Sequence, residues 1–177
     1  MRLFLGINIP QPVQESLYEQ IIPLIRKYPQ FNWTHPDLYH ASVQFFGEVE
    51  DVKKLSESIK NAIYDKTKFH LYGLGLGLFQ AHDLVLHMSY RREKKIDEIV
   101  NALEVAYPTF VKQRAFVFHT AIGRAPYSSK QQYFLLQKLL DRTPIDITYP
   151  VESLALMASV KNSEGRKYHI IEEFPLV

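Results

Sequence analysis

Two histidines make the first chemical suggestion in this sequence. His40 opens the run His40-Ala41-Ser42-Val43, and His119 opens His119-Thr120-Ala121-Ile122, 79 positions later. Imidazole, with an unperturbed pKa of about 6.5, exists in both protonation states near neutrality. One neutral histidine can therefore take a proton from water while a charged one protonates a leaving oxygen. A hydroxyl two residues along a strand shares the histidine's face, where it can hydrogen-bond a non-bridging phosphoryl oxygen. Ser42 holds that position after His40. Ala121 holds it after His119 and supplies no donor. Strand alternation sends the Thr120 hydroxyl to the opposite face unless a bulge intervenes. Either tripeptide alone is a common accident, since strand histidines are more often structural. The pair gains weight only from its equivalent placement in a repeated unit.

That repeat is legible in the apolar pattern. Laying each residue on the one 79 positions later puts Leu5 on Leu84, Ile7 on Leu86 and Ile9 on Met88. Leu17 then meets Ile96, Ile21 meets Val100, Leu24 meets Leu103, and Tyr28-Pro29 falls on Tyr107-Pro108. Phe31 falls on Phe110 and Val43 on Ile122, while Val13 on Arg92 breaks the pattern. Farther on the register slips by about one, so that Leu55 and Ile59 correspond to Leu135 and Leu139. Such a register predicts two copies of one unit, about 3–78 and 82–160, within a single domain over 1–177.

Each copy reads as strand, helix, strand, helix, strand. In the first, Leu3–Ile9 is a strand stopped by Pro10, and 12–28 has the period of one helical face before Pro29. Tyr39–Phe46 is a strand, 51–64 a helix and Lys68–Leu74 a strand running into the Gly-Leu alternation at 73–78. That alternation lacks the helix and Lys-Ser/Thr pair of a phosphate-binding loop. In the second copy Leu84–Tyr90 and Phe116–Ile122 read as strands, 94–107 and 131–140 as helices. Ser153–Val160 and Tyr168–Phe174 form a hairpin across Asn162-Ser163-Glu164-Gly165. The expected fold is α+β: two pseudo-symmetric lobes, each an antiparallel sheet with outer helices, around a central cleft into which both imidazoles look.

Composition narrows the chemistry. A formal charge of +2 and a pI near 8.7 suit an anionic ligand without requiring one. The absence of cysteine excludes disulfides, thiol nucleophiles and cysteine-held metal. The opening apolar run is too short for a signal-peptide core, and no run approaches a membrane span, so a soluble cytoplasmic protein is expected.

Beyond the two motifs, several segments resemble one family. They are Met1-Arg2-Leu3-Phe4, Trp33-Thr34-His35-Pro36, Phe45-Phe46-Gly47-Glu48-Val49, Gly73-Leu74-Gly75-Leu76-Gly77-Leu78-Phe79, Ile122-Gly123-Arg124 and Phe174-Pro175-Leu176. Together they resemble the two-histidine phosphoesterase superfamily, and within it the RNA 2′,3′-cyclic phosphodiesterases, also called 2′-5′ RNA ligases. The resemblance implies that His40 is the proton donor and His119 the proton acceptor. It implies that Ser42 and Arg124 bind the phosphate, with Ala121 a motif position lacking its hydroxyl. The product would be a 2′-phosphate, or a 2′-5′ linkage where an RNA 5′-hydroxyl is the nucleophile. No metal and no cofactor are implied, and the expected partners of a monomer are RNA ends or small cyclic nucleotides. The Ala121 departure keeps two other readings open: a non-catalytic nucleotide- or RNA-binding module, and a phosphodiesterase for another cyclic nucleotide. His82 and His87, five residues apart, suit neither one strand face nor one helix face for a shared metal. His35, His70 and His169 read as surface or structural, the basic run Arg91-Arg92 and Lys94-Lys95 as a solvated face, and Tyr39 as facing away from the cleft.

Overall fold

The computed structural model describes residues 2–107, 117–126, 129–162 and 165–177. Apolar alternation and helical period become nine strands and four helices among these residues. In chain order they are β1 (Arg2–Asn8), α1 (Gln11–Lys27), β2 (Asn32–Trp33), β3 (His40–Glu48), α2 (Val52–Ile63), β4 (Phe69–Gln80) and β5 (Leu84–Tyr90). Then follow α3 (Lys94–Ala106), β6 (His119–Ala125), α4 (Lys130–Leu140), β7 (Thr148–Val151), β8 (Ser153–Asn162) and β9 (Gly165–Pro175). Pro12 sits in the first turn of α1, where its missing N–H costs nothing, and the helix ends before Pro29. Asp51 caps α2 by accepting from Lys54 N at 3.0 Å, and Ser129 with Gln132 forms a capping box on α4.

The strand expected at Lys68–Leu74 instead continues unbroken to Gln80. Beyond the irregularity at Leu74, which is exposed, leucine and glycine alternate between faces: Leu76 and Leu78 enter the core, while Gly77 lies on the other side. The short strand β7 escaped the sequence reading because it contains Pro150. Among the described residues it pairs with β4 alone, at the edge of the sheet, where a missing donor is tolerated. Phe116, the expected start of the second histidine strand, lies outside the described residues, as do Pro108, Phe110, Ser163 and Glu164 of the expected repeat and turn.

All nine strands form one sheet in the order β7-β4-β5-β6-β3-β1-β8-β9, with β2 alongside β6. Every pairing is antiparallel. Read through the repeat, this order is a palindrome: β4-β5-β6 mirrors β8-β1-β3, with the histidine strands β6 and β3 meeting at the centre. The third strand of each repeat has crossed over. β4 from the first copy pairs with β5, and β8 from the second pairs with β1. The two half-sheets thus share strands, and they join where Ala41 pairs with Thr120.

Strand pairing also corrects the repeat alignment. Leu5 lies opposite Gln44 and Leu86 opposite Gly123, while Ile7 lies opposite Ala41 and Met88 opposite Thr120. The first strands are therefore related by 81 positions, not 79. Both offsets are even relative to each other, so the same residues still face the core, and the apolar pattern alone could not separate them.

One hydrophobic core lies between the sheet and the helices. Leu5, Ile7, Ala41, Leu86, Met88 and Ile122 from the sheet meet Leu17 and Ile21 of α1, Leu55 and Ile59 of α2, Ile99 of α3 and Leu140 of α4. Burying each large side chain contributes about 1.5–3 kcal/mol before conformational entropy is charged. A small second cluster, Phe4 with Ala155 and Met157 against Tyr168, lies on the opposite face of the sheet, beside His40. No helix among the described residues is long and apolar enough to cross a membrane.

Candidate active site

The two histidines stand at the centre of the sheet on neighbouring strands, both on the face turned away from the helices. Each is held in the same way. His40 Nδ1 lies 2.8 Å from the carbonyl of Leu38, the last residue of a short 3-10 helix over Pro36–Leu38. His119 Nδ1 lies 2.6 Å from the Val117 carbonyl. A carbonyl can only accept, so Nδ1 carries the proton in both rings and Nε2 is left as the nitrogen that titrates.

The strands part from the Ala41–Thr120 pair because something else takes the edge of β6. Asn32 and Trp33 pair with Arg124 and Gly123, and Thr34 N donates to the Ile122 carbonyl at 3.0 Å. The Trp33-Thr34-His35-Pro36 segment is thus a wedge between the two histidine strands. Trp33 anchors it through Nε1, which donates to the Tyr28 carbonyl at 2.9 Å.

A bulge decides where Arg124 points. On β6 His87 pairs with Ala121 but Leu86 with Gly123, so Ile122 is an extra residue. Strict alternation from His119 would place Arg124 on the helix side. The bulge returns it to the cleft face, opposite Val85 and close enough for its charge to act on His119. Val43 makes the matching irregularity in β3, and there Phe45 occupies the place corresponding to Arg124.

Ser42 lies on the cleft face with Gly6 across from it on β1. Ala121 is on the same face, with His87 across from it on β5. Thr120 is wholly buried on the helix side, its hydroxyl 2.7 Å from that of Tyr90, which lies 2.8 Å from Tyr149 Oη. The Thr120 hydroxyl is committed to the core and leaves Ala121 without a substitute on β6. Tyr39 is also buried in the core, as alternation predicts.

Aromatic rings desolvate both histidines. Phe4 and Tyr168 lie 5.0 and 4.4 Å from His40 between ring centroids, and Phe79 and His87 lie 5.0 and 5.4 Å from His119. Burial lowers the pKa of His40 below its usual value; the Leu38 hydrogen bond opposes this, and the nearby His119 adds to it. Burial likewise lowers His119, opposed by the Val117 bond and assisted by Arg124.

His87 is the site residue that sequence reading missed. Considered with His82 as a metal pair, it carried nothing, and the structure separates the two: His82 is exposed beside Asp83, whereas His87 is buried. The usable signal was strand alternation. Leu84, Leu86 and Met88 enter the core, so His87 must share the other face with the histidine strands. The remaining candidates lie apart. His35 caps the short helix, accepting from Asp37 N at 3.4 Å. Arg92 pairs with Asp97 at 2.9 Å, and Lys95 donates to Thr67 and Lys68. Among the described residues no group of three or more His, Asp or Glu is arranged to hold a metal ion.

Comparison with known proteins bears on the fold. Over 98% of its length the chain is 24% identical to an RNA 2′,3′-cyclic phosphodiesterase of Thermotoga maritima, covering 94% of that protein. The crystal structure of TT0787 from Thermus thermophilus superposes with a TM-score of 0.76 at 21% identity, covering 99% of this chain and 98% of that one. LigT of E. coli, complexed with 3′-AMP, superposes at 0.75 with 20% identity, covering 99% and 97%. The chain has the fold of the LigT-like two-histidine phosphoesterases. No family model matches the sequence.

Within this phosphoesterase fold, His87 makes stability depend on pH. Burial, then the charge of His119, lowers its pKa to about 4, against a weaker opposing pull from the Val85 carbonyl. The unfolded chain binds the proton more readily, so stability present above about pH 6.5 is lost as pH falls towards 4. The expected loss is about 3 kcal/mol, with His40 and His119 adding in the same direction. Urea unfolding at pH 7 and pH 4 should show it. His87→Phe should lose less stability than wild type over that interval; equal losses would remove His87 as the cause.

Proposed function

We propose that the chain hydrolyses 2′,3′-cyclic phosphate termini of RNA, or small 2′,3′-cyclic nucleotides, to 2′-phosphomonoesters. The observation that carries this reading is the matched pair of imidazoles on the adjoining central strands. Each Nδ1 is fixed by the carbonyl two residues back, which leaves each Nε2 to exchange protons. In the proposed step His119 accepts a proton from water as its oxygen bonds to phosphorus. His40, protonated, gives its proton to the departing 3′ oxygen as that P–O bond breaks. Arg124 and the Ser42 hydroxyl hold the non-bridging oxygens by hydrogen bonds, the first charge-assisted. The two histidines then return to their starting states through solvent. With an RNA 5′-hydroxyl in place of water as nucleophile, the same displacement of the 3′ oxygen forms a 2′-5′ linkage. No metal or cofactor takes part, and the protein acts as a soluble, cytoplasmic monomer. The name of the Thermotoga relative supports this choice of substrate.

The test is purified protein with chelator and an RNA ending in a 2′,3′-cyclic phosphate. Opening to a 2′-phosphate by wild type, lost in His40→Ala and His119→Ala, is the expected result. Ala121 favours a second reading, a module that binds nucleotides or RNA without turning them over. RNA bound but unopened would select it.

The pH dependence follows from the shifts. The kcat/KM profile reports the free protein, in which His119 must be neutral and His40 charged. Both pKa values are lowered from 6.5, so the maximum is expected below pH 6.5. A bound phosphate anion favours the charged imidazoles, so the kcat profile should lie at higher pH than that of kcat/KM. A kcat/KM maximum above pH 7 would contradict the assignment.

A further inference from the structure

The two half-sheets treat one cross-strand pair in opposite ways. In the first, the motif hydroxyl of Ser42 faces a glycine, Gly6; in the second, the methyl of Ala121 faces an imidazole, His87. Small and functional partners have exchanged strands. We propose that His87 is the phosphate-binding group of the second half-sheet, donating from Nε2 to a phosphoryl oxygen in place of the hydroxyl that Ala121 lacks. This rests on the phosphodiester reading of the cleft and extends it by one residue.

Three observations carry the assignment. First, the ring is seated for this position. His87 forms a triangle with Phe79 and His119, with centroid separations of 5.1, 5.0 and 5.4 Å. Second, room has been made for it. A Cβ on Gly77 would come within 3.1 Å of His87 Cε1 and Nε2, so a side chain there would displace the nitrogen in question. The Gly-Leu alternation thereby acquires a purpose at this glycine: leucines fill the core while the bare face admits the ring. Third, Nδ1 of His87 is sealed from solvent without a hydrogen-bond partner. A proton placed there would feel the Val85 carbonyl only outside hydrogen-bond geometry, whereas the Nε2 edge lies over Gly77 on the cleft face. The bond to the carbonyl two residues back, which holds the Nδ1 protons of His40 and His119 at 2.8 and 2.6 Å, is not completed at His87. Its lowered pKa agrees, keeping it a neutral donor that does not compete for the protons His40 and His119 exchange.

The experiment uses the full chain, its variants and two probes. His87→Phe keeps a ring against His119 and Phe79 but removes the donor. It is expected to lower kcat/KM on cyclic phosphate by on the order of 10²-fold, the usual effect of one lost donor to developing charge. His87→Gln, which restores an N–H, should recover part of that loss. His87→Gly with Ala121→Thr rebuilds the glycine–hydroxyl pair of the first half-sheet and should recover more than His87→Gly alone. In parallel, the histidine ring signals are followed by NMR with inorganic phosphate and then adenosine 2′-monophosphate. Shifts at His40, His119 and His87 together support the proposal even if wild type opens no cyclic phosphate, in which case only the substrate reading falls. Shifts at His40 and His119 without His87, or wild-type turnover by His87→Phe, overturn it. No response from any of the three overturns the phosphate cleft and this inference with it.

Discussion

Alanine at position 119 is expected to lower kcat for cyclic phosphate opening by on the order of 10²–10⁴, the range for removing a positioned general base. Among the described residues, nothing nearby can replace it. His87, the adjacent imidazole, is held neutral with a pKa of about 4, too weak a base to take over near neutrality. His40→Ala should have an effect of similar size, because its Nε2 is the proton source for the leaving oxygen. The double variant should cost little more than either single one, since acid and base act in one step. Single-turnover assays with end-labelled RNA would measure all three, and circular dichroism would show that each is folded. His119→Ala should also remove the acid limb of the kcat/KM profile, which no indirect packing effect would do. Retention of more than about a tenth of wild-type kcat by either single variant would exclude that histidine from proton transfer.

Arg124→Ala is expected to cost on the order of 10²–10³ in kcat/KM, with weaker binding of adenosine 2′-monophosphate. The reason is geometric. Arg124 reaches the cleft only because Ile122 is extra in β6, and its charge is felt at His119. It is exposed, so truncating it removes little packing, and a fall in Tm is not expected. Arg124→Lys should restore part of the loss, since an ammonium keeps the charge but not the two-pronged donor geometry. An unchanged product affinity in Arg124→Ala would place the guanidinium outside the phosphate site.

Much of this arrangement was readable before folding was considered. The helix over 12–28 shows in the spacing of Leu17, Ile21 and Leu24, and its end shows in Pro29, because both are local properties of the chain. The opposite fates of Ser42 and Thr120 likewise followed from alternation: one hydroxyl lies on the cleft face, the other bonds Tyr90 in the core. Arg124 was picked out through family resemblance, although simple alternation argues against it. The bulge at Ile122 shifts the alternation by one, so that Ala125 and not Arg124 enters the core, and a single residue at the end of so short a strand is too little to read as a change of phase.

The sequence alone determined what most strands turn inward, within about a residue where each helix begins and ends, and which two histidines occupy equivalent places. Those are short-range matters of side-chain period, proline and capping. Only the tertiary structure decided which strands are neighbours. It sent β4 and β8 across to the opposite half-sheets, moved the first-strand offset from 79 to 81, and wedged Asn32–Thr34 beside β6. It also set His87 opposite Ala121. Pairing is chosen by segments far apart in the chain, and an even shift in register leaves the same side chains in the core. Hydrophobic pattern is blind to such a shift, but a site is not, since it changes which residue stands beside His119.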